Sequence, residues 1–259
     1  MLPKLMPLSP SKLAITLAIL PLTISATYLV YLNHRISREC TISASLRNKK
    51  KRINTLPPTL PLPTSLPREV ASDESEEWIL AHERVVLSRP LHPSALPSYD
   101  DNLSTVLTHY VRATMTAFSW TPQAFILRAS VGDKGVRETF DTAYILSLDF
   151  CEGDRVNGFW KIVYRGEVGG HQGSERVELA LDAPDGYKGP VVRGLVVAGV
   201  EMRDDGEVVF VNETWMWRRE GEAPVLLEGR VGGWLHELLS GWLVMKGVRA
   251  LTEGKGKSE

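Results

Sequence analysis

VVRGLVVAGVEMRDDGEVVFVNETWMWR, residues 191–218, reads as two long strands joined by a tight turn. Val191–Arg203 and Glu207–Arg218 are rich in β-branched and aromatic residues and flank Asp204-Asp205-Gly206, a hairpin signal. A two-residue turn at Asp205-Gly206 sets Asp204 against Glu207. Ala198 then opposes Glu213, Val196 opposes Trp215 and Gly194 opposes Trp217, all on one face with Val200 and Val211. Two indoles opposite small residues would enclose a hollow with aromatic walls. A Glu213 carboxylate at its centre would be desolvated, its pKa pushed upward, and available as a general acid or base. On this reading Glu213 is the catalytic candidate, and Trp215, Trp217, Ala198, Gly194 and Val196 bind the substrate. Asn212, Thr214 and Arg218 fall on the opposite face beside Met216. The competing reading makes both tryptophans core residues and Glu213 an ion-pair partner of Arg193 or Arg203. A longer turn changes every partner.

Upstream, period-two stripes continue: Tyr144, Leu146, Leu148 and Phe150 within Thr142–Phe150, then Trp160, Ile162 and Tyr164. Val177, Leu179 and Leu181 alternate with Arg176, Glu178 and Asp182, the pattern of a half-buried strand. Before these, Leu103, Val106, Leu107, Tyr110, Val111, Thr114, Met115 and Phe118 repeat at helical spacing, with Asp100 or Asp101 as N-cap and Pro122 beyond the end. Val231–Leu251 closes the chain with an apolar helical face of Trp234, Leu235, Leu238, Leu239, Trp242 and Met245. Glycines at 232, 233, 241 and 247 weaken it, and His236, Glu237 and Lys246 make it a poor membrane span. The order helix, about five antiparallel strands, helix lacks βαβ alternation. The expected class is α+β, a curved antiparallel sheet packed on helices. By analogy of element order it is an NTF2-like cone or a helix-grip-like fold, which by itself says nothing of function.

The chain has 259 residues, 43% hydrophobic and 24% charged, an ordinary globular balance that excludes disorder throughout. Cys40 and Cys151 are the only cysteines, which excludes a disulfide-stapled scaffold. Charge is unevenly distributed. Up to Arg68 there are ten Lys/Arg and one acid, Glu39; from Glu69 onward there are twenty basic and thirty acidic residues, so the larger part is no nucleic-acid binder.

The basic part addresses a membrane. Leu13–Leu32 is twenty residues without a charge, enough as a helix to span roughly 30 Å of hydrocarbon. Pro21 would kink that helix, and Tyr28 and Tyr31 suit the headgroup layer. The expectation is a short tail at 1–12, a transmembrane anchor at 13–33, a basic and proline-rich linker at 34–72, a soluble α+β domain at 73–251 and a disordered tail at 252–259. A signal peptide cleaved near Ala26 and a mitochondrial presequence are the alternatives. The cations Arg35, Arg38, Arg47, Lys49, Lys50, Lys51 and Arg52 follow the span, so the positive-inside bias places the domain in the cytosol. Lys49–Arg52 would lie against anionic headgroups, at about 1 kcal/mol per charge. Asn54–Pro67 holds five prolines, a semi-rigid polyproline II spacer.

Other chemistry is sparse. His171 lies in Gly169-Gly-His-Gln-Gly-Ser174, a glycine-rich loop that has no GxGxxG fingerprint and opens no helix. Cys151 lacks a positioned histidine, and His82, His92 and His109 lack ligand spacing, so no metal is expected. Asp141, Asp149 and Asp154 read as strand-end acids. Gly254-Lys-Gly-Lys-Ser258 lacks the first glycine of a phosphate loop, and no Gly-x-Ser-x-Gly elbow occurs. No cofactor is expected.

Anchor, basic cluster and proline-rich hinge, in that order over the first quarter of the chain, resemble the amino-terminal layout of microsomal cytochromes P450. That implies the cytosolic face of the endoplasmic reticulum. With the run from Asp154 to Arg218, including Glu178-Leu-Ala-Leu-Asp-Ala-Pro-Asp-Gly-Tyr187 and Phe210-Val-Asn-Glu-Thr-Trp-Met-Trp-Arg218, the chain resembles small membrane-anchored accessory proteins of fungal polyketide and decalin-type biosynthesis. The resemblance implies a helper of ring closure beside an anchored P450, with membrane lipid, that enzyme and an apolar small molecule as partners and no nucleic acid. If the chain is an enzyme, it is a cofactor-free cyclase or isomerase using a carboxylate. The alternative is a non-catalytic membrane adaptor or assembly factor, in the reticulum or the mitochondrial inner membrane.

Overall fold

The computed structural model describes residues 10–48, 51–53, 61–72, 77–87, 89–96, 102–168, 173–190 and 192–253, with the backbone alone at 10–24, 48 and 51–53. The loop carrying His171, the Gly254–Ser258 stretch, Asp100 and Asp101 lie outside the described residues. So do 1–9, 49–50 and 54–60.

Helix α1 (Pro10–Glu39) runs directly into strand β1 (Cys40–Asn48), followed by β2 (Lys51–Ile53), the short helix α2 (Arg68–Ala71) and β3 (Trp78–Leu87). Four helices come next: α3 (Leu103–Ser119), α4 (Pro122–Ser130), α5 (Lys134–Glu138) and α6 (Thr142–Ser147). Strands β4 (Arg155–Val156), β5 (Trp160–Glu167), β6 (Glu175–Leu181), β7 (Arg193–Met202) and β8 (Val208–Arg219) lead to the closing helix α7 (Arg230–Glu253). All strand pairs are antiparallel, in one eight-stranded sheet of order β2-β1-β3-β8-β7-β6-β5-β4. The class is α+β, as expected, but the sheet is larger than the expected five strands. β1, β2 and β3 account for most of the difference.

Helices cover one face of this sheet. Val106, Leu107, Tyr110 and Val111 of α3, with Leu238, Val244 and Val248 of α7, bury against Val85, Val177, Leu179, Ala198, Val200 and Phe210. Two of the glycines in α7 that lower its helix propensity are contact points. A Cβ at Gly247 would lie 2.6 Å from Thr114 Oγ1 and Tyr110 Cε2, and one at Gly241 would lie 2.6 Å from Ile36 Cγ2. Close approach of α3 and α1 to α7 therefore offsets the roughly 1 kcal/mol propensity cost of each.

The last turns of α1 belong to this core: Leu32 and Ile36 are buried in it with Cys40, the first residue of β1, and Trp234 Nε1 donates to Asn33 Oδ1 at 3.0 Å. Residues 34–72 are accordingly more than a linker, because β1 pairs with β3 from Cys40↔Leu87 to Arg47↔Leu80. Among the described residues no helix is long and apolar enough to cross a membrane.

The other face is covered by residues 61–72, the end of the expected proline-rich spacer. Leu66 and Val70 pack there on Leu80, Leu195, Val197, Trp215 and Trp217. This strap is fastened at both ends. Thr64 N–H and Ser65 N–H donate to the Glu178 carboxylate at 2.7 and 2.8 Å. Arg176, paired with Glu178 at 2.8 Å, donates to Leu62 O. At the far end Arg47 of β1 donates to the Val70 and Ala71 carbonyls. β6 is therefore buried on both faces, not half-solvated.

Three local expectations change. Thr142–Phe150 forms α6 and an extended tail instead of a strand, burying Ile145 and Leu148 three residues apart. A short apolar run fits either period. Helix α3 is capped by Asn102, whose Oδ1 accepts from Ser104 N–H at 2.8 Å. The β7–β8 turn is one residue longer than expected: Arg203 N–H donates to Glu207 O at 2.8 Å, leaving Asp204, Asp205 and Gly206 as the loop, with Gly206 at φ +79°. That is the three-residue hairpin in which glycine takes the left-handed position.

Candidate functional site

The longer turn moves every partner by one. Val197 opposes Glu213, Leu195 opposes Trp215 and Arg193 opposes Trp217. Since successive side chains alternate in direction, Glu213, Trp215 and Trp217 lie on the strap side, while Gly194, Val196 and Ala198 lie on the helix side. The six residues expected on one face are thus divided between two.

On the strap side Trp217 lines a cavity of about 250 Å³ with Ser65, Val163 and Arg193, but Glu213 is not among the residues lining it. Trp215 is fully buried and Trp217 nearly so. Arg84 of β3, opposite Glu213 in register, donates to its carboxylate, and Trp215 Nε1 donates to it at 2.9 Å. His82 lies 3.4 Å away and stacks on Trp215 with ring centroids 3.9 Å apart. Burial by itself pushes the Glu213 carboxyl up. His82, Arg84 and the Trp215 N–H outweigh it, and the net direction is down. The expected upward shift is reversed because a carboxylate with three partners is stabilised in its charged form. Its cation is Arg84, not Arg193 or Arg203; Arg193 pairs with Glu222 at 2.6 Å and Arg203 approaches Asp205. Glu213 is built as an anchor of the sheet, in no contact with the cavity described next.

That cavity, of about 280 Å³, lies on the helix side, between β6–β8 and helices α3, α4 and α7. It is near the lower end of the roughly 300 Å³ at which ligand sites begin, and larger than the ~150 Å³ cavity that takes benzene. Met115, Phe118, Phe159, Trp160, Leu181, Leu239 and Leu243 make apolar walls, and Gly194 and Val196 form the floor with Thr214 and Met216. A Cβ at Gly194 would lie 2.9 Å from the Trp215 carbonyl oxygen, so the floor is flat there. Gln123, Pro190 and Leu226 line it and are exposed, which marks the mouth.

Polar groups gather at one end. Glu83 of β3 is 3% exposed and opposes Thr214 in register, with Val85 opposing Asn212. His236 of α7 lies over this pair, its Nδ1 2.8 Å from Glu83 Oε1, and Ser240 Oγ is 3.2 Å from the same nitrogen. With Nδ1 held by a carboxylate, the imidazole's Nε2 is the ring atom left for a ligand. Neither that nitrogen nor the side chains of Asn212 and Thr214, both buried and lining the cavity, has a hydrogen-bond partner among the described residues. Glu237, beside His236, is pushed up by partial burial and by Glu83.

Remaining candidates are dispersed. His92 Nδ1 lies 2.8 Å from Ser94 Oγ near the surface, and His109 is exposed on α3. Cys151 is exposed and Cys40 buried, both free. Asp141 pairs with Arg128, Asp149 with Arg112, and Asp154 accepts from Cys151 N–H. Arg218 grips Glu228 at 2.6 and 2.8 Å, tying β8 to the turn before α7. No group of three or more His, Cys, Asp or Glu is placed to hold a metal among the described residues.

The sequence reading missed Glu83 and His236, which are 153 positions apart. Two signals were available: an acid within the apolar run Trp78–Leu87, and a histidine interrupting the apolar face of the last helix. Against family models, curated proteins and solved structures alike, the chain finds no match.

Proposed function

We propose that this chain is a membrane-tethered accessory domain that holds an apolar, polyketide-type small molecule in the cavity between sheet and helices. It works beside a membrane-bound oxygenase such as a P450, at the cytosolic face of the endoplasmic reticulum. There it directs a cyclisation or isomerisation by shape and one acid/base group. The carrying observation is the cavity: apolar walls over most of its extent, with Asn212, Thr214, His236 and Ser240 grouped where β8 faces α7, the make-up of a site for an apolar molecule with an oxygenated end. Element order supports the helix-grip-like expectation over the cone. β3 pairs with the last strand, β8, and α7 then crosses the sheet that precedes it. Support for the tether is the uncharged stretch Leu13–Leu32 on a helix whose backbone continues into the domain.

The test is titration with 1-aminoanthracene, a fluorescent apolar probe. Val196→Trp fills the floor of the cavity, so binding should weaken at least tenfold with the fold retained by circular dichroism. Equal affinity in the variant would remove the proposal. Imaging a tagged chain tests the location, and mitochondrial staining would replace the reticulum.

The adaptor reading has its own observation. Trp120, Phe125 and Ile126 at the α3–α4 corner are 70%, 53% and 71% exposed, and the two rings meet edge to face with centroids 6.4 Å apart. A docking role predicts that Trp120→Ser with Ile126→Ser abolishes partner capture and leaves probe binding intact.

A further inference from the structure

We infer that His236 is a catalytic acid/base that moves a proton on a carbon next to a ketone of the cavity's ligand, with Glu83 as its positioning residue. The inference rests on the cavity reading above and deepens it.

Three features of the geometry carry it. First, Glu83 is nine-tenths buried or more and spends its Oε1 on His236 Nδ1 at 2.8 Å, which fixes the tautomer with a proton on Nδ1 and a lone pair on Nε2. Second, His236 lines the cavity, and Nε2 has no partner among the described residues. Third, Asn212 and Thr214, two residues apart on β8 and therefore on one face, place an amide and a hydroxyl along the same cavity end. Both side chains line the cavity that they share with the imidazole.

The chemistry follows from those positions. A ketone oxygen accepting from the Asn212 amide or the Thr214 hydroxyl sets its neighbouring C–H toward the imidazole. Nε2 takes that proton; the C–H electron pair forms the C=C of an enolate, and the carbonyl π pair moves to oxygen, where the donors hold it. His236 becomes an imidazolium whose charge Glu83 balances. Returning the proton to the same carbon gives exchange. Returning it two carbons along a conjugated chain gives a shifted double bond. Both outcomes conserve electrons and need no co-reactant. The substrate class is an apolar ketone with an acidic adjacent C–H, of a size the 280 Å³ cavity admits.

The probe is 2-tetralone, a bicyclic ketone, with the full-length protein in detergent micelles. Binding is read by calorimetry, and deuterium uptake from D₂O at the carbon between ring and carbonyl is read by mass spectrometry. Wild type should exchange the probe faster than buffer. His236→Gln should lose about 10²–10⁴-fold in rate while binding changes less than threefold. His236→Ala should regain exchange when imidazole is added, a rescue that a structural histidine would not show. Glu83→Gln should lower the rate and leave binding unchanged. Should Glu83→Gln fail to fold, Asn212→Leu supplies the second arm, slowing exchange through loss of the oxygen's donor. Absence of 2-tetralone binding to wild type overturns the cavity reading and this inference with it. Binding with exchange at the buffer rate, or full activity in His236→Gln, overturns the proton-transfer role alone.

Discussion

Replacing Glu178 with alanine should unfasten residues 61–72 from the outer face of the sheet. The carboxylate is fully buried, accepts from Thr64 N–H and Ser65 N–H at 2.7 and 2.8 Å, and faces Arg176 at 2.8 Å. Hydrogen bonds to a charged group contribute about 1.5–3 kcal/mol each, and breaking one side of a buried ion pair costs about 3–5 kcal/mol. These overlap rather than add, because Arg176 keeps Leu62 O and Thr64 Oγ1 as acceptors. The expected loss is about 3–5 kcal/mol, or a fall in Tm of about 6–20 °C for a domain of this size. Urea unfolding followed by tryptophan fluorescence measures it, with Trp215 and Trp217 beneath the strap as reporters. Limited trypsin digestion is a second readout, since Arg68 should become a cleavage site. The double variant Arg176→Met with Glu178→Leu should be less destabilised than Glu178→Ala, because no charge is left stranded. A loss below about 1 kcal/mol for Glu178→Ala, or a double variant worse than the single, would refute this account of the strap.

Two further outcomes are expected. The Glu213 carboxyl titrates below its ordinary value of 4.5, so it contributes stability above that pH, lost as pH falls through the lowered folded-state value. Glu213→Gln should therefore flatten the acid limb of the urea-stability profile below pH 4.5 and leave 1-aminoanthracene binding unchanged; identical acid limbs would contradict the Arg84 pairing. Burial and the neighbouring Glu39 push the Cys40 thiol up to about 12, whereas Cys151 is exposed. A thiol-disulfide reagent at pH 8 should modify Cys151 alone in the native chain and both cysteines in denaturant, and rapid native labelling of Cys40 would show that the α1–β1 junction opens.

Legibility in the sequence followed how one-sided each element is. Helix α3 stands out because one stripe meets the core while Asn102, Thr105 and His109 stay exposed. Strand β3 does not, since Ile79 and Glu83 are buried on one side and Leu80 and His82 on the other, leaving no alternation to see. From its prolines alone the strap reads as a spacer, because the partners that hold it are more than a hundred residues away on β6. The candidate site turned on a single residue of turn length. With glycine at the third loop position, the register moves by one and the partner set inverts. Gly194, Val196 and Trp215 line a hollow, but with Asn212 and Thr214 for company instead of Glu213. The Glu83–His236 pair joins a strand to the final helix, a coupling that no local pattern encodes.

The junction at Glu39–Cys40 has a mechanical consequence. Helix α1 passes into β1 with no intervening residue, and its contacts with α7 through Asn33 and Ile36 fix its direction a second time. Thirty residues of helix make a rod of about 45 Å. A body joined to such a rod by a supple leash would swivel; this one is welded at two points. Whatever grips the leading half of the rod therefore sets the attitude of the whole body, and the direction in which the opening between Gln123, Pro190 and Leu226 looks is decided by that grip.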